Sequence, residues 1–300
     1  MDNKKITLIA IYEQVCADYN ESLWTIVQRF SSNGLNGRIT DQELITIYLF
    51  CTIHEKYHTQ KQMWEHIRCY WHEWFPNLPS YQTFNNRLNR LYPAFEFYLG
   101  LLIERYEFNP DLSPTAIGDS CPIVTCAGNR KGKVAPELVS KTFSKSKKRW
   151  YWGCKLHVMG QKRKGKLPIP QSVGFSPASD HDLTIMEPYL ENCMDMSIFL
   201  DKAYAKKYLS ETAEQNGNQY YTPIKKAKNT PDVLQFRDAA YQKQVQTDVA
   251  KHRQPIESFF NWLHEKTGIQ VASKVRSSKG LQLHIYGKLL AGFCSLIGLI

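Results

Sequence analysis

"MSIFLDKAY", residues Met196–Tyr204, is a short apolar run that ends abruptly on an acid, Asp201, with a lysine next. Ile, Phe and Leu in so short a run read as a buried strand. An acid at a strand end is most often a turn or cap residue. It can also be a ligand at the mouth of a site, because open α/β sheets bind ligands at the carboxyl ends of their strands. The neighbouring segments decide the fold around it. Upstream, "SPTAIGDS" (113–120) is a short strand candidate ending at Asp119. "RWYWGCKLHVMG" (149–160) and "LPIPQSVGFSPA" (167–178) flank "QKRKGK", a β-hairpin with a basic tip. Downstream, "QYYTPIKK" (219–226) is another strand, and "QPIESFFNWLHEKTGI" (254–269) returns to helical spacing, with Ile256, Phe259, Phe260 and Leu263 on one stripe. Strand, hairpin, strand, strand, helix is the order of a mixed α/β layer fold.

Residues 1–110 have a different texture, all helical. Thr40 and Glu43 in "TDQELITIYLF" have capping-box spacing ahead of an apolar run. In "PSYQTFNNRLNRL" Ser80 is the expected N-cap, and Phe84, Leu88 and Leu91 share a face. Arg87, Arg90, Asn85, Asn86 and Asn89 lie elsewhere around that helix, and Arg and Asn suit base edges and phosphates. The segment therefore reads either as the recognition helix of a helix-turn-helix or as an ordinary amphipathic helix. The expected organisation is a helical domain over 1–110, DNA-binding if the helix-turn-helix reading holds, and an α/β domain over 111–300, with a long basic loop at 121–148.

Charge points to the partner. The chain carries +10 overall, and residues 121–166 hold thirteen Lys/Arg against one acid, Glu137. That segment alone is +12, so the remainder is close to neutral. A local block of this size implies a polyanion, either nucleic acid or an anionic membrane surface. Lys147, Lys148, Arg149 and Lys155 are its candidate contacts. The eight cysteines include no C-x-x-C pair, which fits free thiols in a reducing cytoplasm. The N-terminus has no signal-peptide pattern. The apolar tail Leu289–Ile300 is too short to span a bilayer and reads as a buried helix.

Asp119, Asp201 and Glu257 form the candidate centre. If the two strands are neighbours, both aspartates reach one edge of the sheet, and a helix crossing that edge brings the glutamate. Clustered carboxylates repel unless a cation stands between them. Mg²⁺ takes oxygen ligands from a few carboxylates and substrate phosphates. Two such ions can activate an attacking oxygen and stabilise a leaving one in phosphodiester chemistry.

Together these motifs resemble the DDE transposases of bacterial insertion sequences, most closely the insertion sequence 982 group. The resemblance covers most of the chain. It is carried by "AIGDSCPI", "YWGCKLHV", "GFSPASDHD", "FLDKAY" and "KHRQPIESFFNWLHEKTGI", in the family's order, and by "LPSYQTFNNRLNRL" in the helical part. It implies a ribonuclease H-like mixed sheet flanked by helices, behind an all-α N-terminal domain. It implies Asp119, Asp201 and Glu257 as the catalytic triad and as ligands of two Mg²⁺ ions, with Mn²⁺ as a substitute. Arg253 matches the arginine of the Tyr-Arg-Glu-Lys signature, which contacts DNA near the element's end. The signature tyrosine falls at Ala250 and its lysine at His264, with Lys266 two residues on. His157 and His181–Asp182 match recurrent positions as supporting or DNA-contacting residues, or else as packed histidines. The implied partners are terminal inverted repeats and target DNA, engaged by a homodimer or multimer at the nucleoid in the bacterial cytoplasm. The implied reaction is hydrolysis at each end, followed by 3′-hydroxyl strand transfer.

Two rival functions remain. One is a decayed or domesticated transposase that binds DNA without cutting it. The other is a zinc metallopeptidase through "HEKYH", with His54 and His58 on one helical face and Glu55 as base. That pattern lacks a third ligand: Lys61 stands where the extended motif has Gly, and Trp64 where it has His.

Overall fold

The computed structural model describes residues 3–27, 39–107, 109–144, 148–223 and 232–299, with the side chains of 183–186 and 232–246 outside the description. Five helices come first: α1 (Asn3–Glu21), α2 (Asp41–Ile53), α3 (Gln60–Tyr70), α4 (Tyr81–Arg90) and α5 (Tyr92–Tyr106). Thr40 closes the expected capping box on α2, and Ser80 accepts from the Thr83 N–H at the start of α4. Each cap satisfies backbone donors that the first helical turn leaves without partners. Ten residues separate α3 from α4, where a helix-turn-helix has about three or four.

The sheet follows: β1 (Leu112–Ala127), β2 (Ser140–Ser144), β3 (Arg149–Arg163), β4 (Lys166–Pro177), β5 (Ser197–Phe199) and β6 (Gln219–Tyr221). β1, β3 and β4 are antiparallel neighbours, and β5 and β6 add parallel to β1. β2 occupies the same edge of β3 as β4, pairing with its first residues while β4 pairs with the rest. The hairpin turns at Gly165, whose φ of 66° suits glycine. Helices α6 (Leu183–Asn192), α7 (Lys207–Gln215), α8 (Asp232–Thr267) and α9 (Ser278–Ile297) complete the chain. This is the mixed sheet flanked by helices expected of the ribonuclease H-like class.

Two expectations need correction. β1 does not end at Asp119 but runs on to Ala127, and much of the expected 121–148 loop is therefore strand. Pro122 is tolerated there for a geometric reason. Val124 turns its N–H and C=O outward, to Gln270 and Ala272, so the N of Pro122 points to the same outer edge. The β5 ladder has already stopped at Ile117, and a missing donor costs no ladder bond.

Alternation divides the sheet into two faces. Ala116, Met159 and Ile198 pack with Leu190, Tyr204 and Leu209 beneath α6 and α7. Ile117, Val158 and Phe199 face the larger core with Ile256, Phe259 and Leu263 of α8. That larger core is continuous with the N-terminal helices, because α9 packs against α2, α4, α5 and α8. Asp119 follows Ile117 by two and Asp201 follows Phe199 by two, so both project toward α8.

Candidate active site

The parallel register Thr115↔Ser197 to Ile117↔Phe199, carried on by two residues, places Asp119 level with Asp201. Both lie just past the carboxyl end of the parallel pair, where open sheets bind ligands. Arg253 of α8 joins them. Its guanidinium is 2.8 Å from Asp119 Oδ2 and 3.5 Å from Asp201 Oδ1. The outward N–H of Ser120 donates to Asp119 Oδ1 at 2.8 Å. Asp201 also caps the 3-10 turn Lys202–Tyr204, accepting from the Lys202 N–H. It is therefore a cap and a member of the cluster together. Glu257 is one helical turn after Arg253, on the same face of α8, and is exposed.

Burial raises the Asp119 pKa to about 6, against the lowering effect of Arg253 and the Ser120 N–H; Asp201 and Glu257 raise it further. The glutamate is thus close enough for its charge to be felt. Tyr204 is buried, within reach of the charges of Asp119, Asp201 and Arg253, and among the described residues neither its hydroxyl nor Arg253 Nε has a hydrogen-bond partner. Burial holds the phenol in its neutral form. Orphaned polar atoms around all-oxygen donors fit a hydrated hard cation. In this arrangement the guanidinium supplies the positive charge between the aspartates, and no three His, Cys, Asp or Glu groups among the described residues are posed to hold an ion.

A family model described as Transposase DDE domain matches residues 123–293, more than half of the chain. The chain belongs to the DDE transposases. The matched span contains Asp201, Arg253 and Glu257 and begins four residues after Asp119. No curated protein matches the transposase. One solved structure, described as the crystal structure of a pre-cleavage Mos1 transpososome, aligns at 15% identity over 90% of this chain and 82% of that one. Its TM-score of 0.21 is too low for any inference about this transposase.

The remaining site candidates of the transposase divide by what they touch. His157 does not reach the carboxylates. It pairs with Ser120 across the ladder and so faces the other side of the sheet, buried, with Nε2 2.9 Å from Ser176 Oγ. Desolvation lowers its pKa to about 4, and no face of it is open to DNA. The packed-histidine reading is the one this geometry supports. Asp182 lies 3.9 Å from His157 Nδ1 but bonds Lys155 at 2.9 Å, and Lys155 also donates to the Asp180 carbonyl. Arg87 is likewise internal. It donates to the Ile39 carbonyl and pairs with Asp41 at 2.7 Å, tying α4 to the start of α2. Asn85 and Asn89 bond Gln60 of α3. Arg90 and Asn86 remain exposed on α4. Lys148 and Arg149 are exposed at the β2–β3 hairpin, whereas Lys147 lies outside the described residues. Lys266 is nine residues after Glu257, about half a turn around the helix, so it faces away from the carboxylates. Its charge is felt instead by His54.

The zinc motif loses its helix: α2 ends at Ile53, so His54 and His58 do not share a helical face. Glu55 pairs with Lys4 at 2.9 Å.

Sequence reasoning missed Tyr204 as a buried site group, and it missed His252. The His252 ring stacks on Phe199 at 4.2 Å, and Phe199 stacks on Tyr221 at 4.7 Å. Lys162 reaches His252 Nδ1 at 3.3 Å. The stack fixes α8 to β5 between Arg253 and Asp201. Its only advance signal was position: His252 precedes Arg253, and Phe199 precedes Asp201 by two.

Proposed function

We propose that this transposase belongs to the insertion sequence 982 group and hydrolyses the phosphodiester at each end of its element. It then joins the freed 3′-hydroxyls to target DNA. The observation that carries the reading is the convergence of Asp119 and Asp201 on Arg253, with Glu257 one turn away. Asp119, Asp201 and Glu257 would hold the divalent ions, Mg²⁺ or Mn²⁺. Bound there, the ions supply an activated oxygen nucleophile and charge stabilisation for the leaving oxygen. The chain's own contribution is placement. The sheet sets the two aspartates level. The His252–Phe199–Tyr221 stack sets the height of α8 above them. Arg253 presents a planar, permanently charged fork whose geometry suits a phosphate as well as a carboxylate. Exposed cations at the β2–β3 hairpin would hold the flanking duplex. Pairing of two ends requires at least a homodimer on DNA, at the nucleoid in the cytoplasm.

Asp201→Ala tests this. The purified wild type is expected to nick DNA carrying its terminal repeat in Mg²⁺ and not in EDTA. The variant should bind the same DNA and leave it intact. Wild-type cutting by the variant would remove Asp201 from the centre. Binding without cutting by the wild type itself would establish the domesticated alternative.

A further inference from the structure

A cavity of about 500 Å³ opens on the side of the sheet that faces α8. It is walled by the end of β1, the segment 128–134, the start of β3 and the connection from α8 to α9. Arg130, Lys131, Lys133, Arg149 and Arg276 contribute to it, and none of its lining residues is acidic. A second cavity, about 720 Å³ between α5, β4 and α6, carries Glu96, Glu104 and Glu107 instead and would repel a phosphate.

The basic cavity has a flat aromatic floor. Trp150 is 56% exposed, held edge-on by Phe143 at 5.5 Å, with the Lys141 ammonium 5.6 Å from its ring. What sets this indole apart from the other exposed aromatics is its place within a rim of cations, where it offers a flat apolar face. The loop above it is built to approach closely. A Cβ at Gly128 would come 2.4 Å from Trp150 Cβ, and one at Gly132 2.3 Å from the Trp152 ring. Trp152 Nε1 donates to the Arg130 carbonyl at 3.0 Å. These contacts lay 128–133 against β3 and carry its three cations to the rim of the cavity. The cavity also lies in line with the carboxylates. His264 in its wall is seven residues beyond Glu257, on the same face of α8 and about 10 Å along, some three base steps of a DNA strand.

We infer that this cavity binds an unpaired nucleotide of the DNA substrate, its base stacked on Trp150 and its flanking phosphates on Arg130, Lys131 and Lys133. The inference rests on the reading of the chain as an enzyme that acts on DNA. A fully paired duplex hides its base faces, so a cationic groove alone would suffice for it. An open indole within a phosphate-binding rim is the combination that single strands use.

The test is fluorescence anisotropy with the full chain in EDTA. The probes are a short duplex, the same duplex with an internal bulge, and the bulged duplex with abasic sites at the unpaired positions. The bulged probe is expected to bind about tenfold tighter than the other two. Trp150→Ala should remove that preference while duplex affinity changes less than about twofold, and Trp150→Phe should keep most of it. Equal affinity for duplex and bulge, equal affinity for bulge and abasic bulge, or an intact preference in Trp150→Ala would each overturn the inference. Asp201→Ala should keep the preference. Preference without Mg²⁺-dependent cutting would fail only the catalytic reading, and cutting without preference would fail only this one.

Discussion

The Arg253 guanidinium touches Asp119 at 2.8 Å and Asp201 at 3.5 Å, with only 11% of its side chain exposed. Removing one partner of such a half-buried cluster leaves the carboxylates to repel each other in a place that disfavours charge. Arg253→Gln is therefore expected to lose about 2 kcal/mol of stability without divalent ions. A cation that binds only the folded chain restores stability by mass action. Added Mg²⁺ should accordingly raise the melting temperature of Arg253→Gln more than that of the wild type. Thermal melts with and without Mg²⁺ decide it, and an equal Mg²⁺ response in both proteins would count against a cation site at these aspartates.

At the scale of elements, the +12 block is two things rather than one. Toward the β3–β4 end most of the cations are engaged by other groups of the chain, Lys155 with Asp182, Lys162 with His252, Arg163 with the Leu167 carbonyl and Lys166 with Asp111, while Lys164 is exposed at the turn. At the β2–β3 end Lys131, Lys133, Lys148 and Arg149 are exposed. Neutralising these four should reduce the slope of log affinity against log salt by about 3–4, at roughly 0.9 for each DNA phosphate left without its cation. Neutralising Lys155 and Lys166 should leave the slope near wild type. A salt titration of duplex binding separates the two sets, and equal slope changes would dissolve the distinction. The hairpin itself was legible from sequence because two apolar runs flank a Lys-Gly turn. The capping box on α2, the Ser80 cap on α4 and the α8 stripe were legible because they are local. The length of β1 was not, since Pro114, Gly118 and Pro122 look like breakers until the open outer edge is seen. Arg253 was visible as a motif residue, but its pairing with a carboxylate 134 positions away was not. Arg87 and Lys155 read as DNA contacts because sequence shows a charge and not the carboxylate that the fold brings to it.

Across the whole molecule, composition changes near residue 110, yet the core does not stop there. Helix α9 carries it across, packing on α2, α4 and α5 as well as on α8. Two polar residues of α9 hold the end of α8: His284 Nε2 is 2.8 Å from the Ile269 carbonyl, and Lys288 Nζ is 3.3 Å from that of Gly268. Lys288 is 1% exposed, and desolvation lowers its pKa from 10.5 to about 7. Between those two values the unfolded chain binds the proton and the folded chain does not. Stability from this group therefore rises as pH climbs from about 7 toward 10, and is least below 7, where a charged lysine is buried. Lys288→Met removes both the proton and the penalty. Its stability relative to wild type should be greatest at pH 6 to 7 and should fall steadily as pH rises, read from urea denaturation across that range. A pH-independent difference would mean that Lys288 stays charged in the folded core, held by the Gly268 carbonyl. In that case the joint between the helical region and the sheet would be an ionic one rather than a packed one.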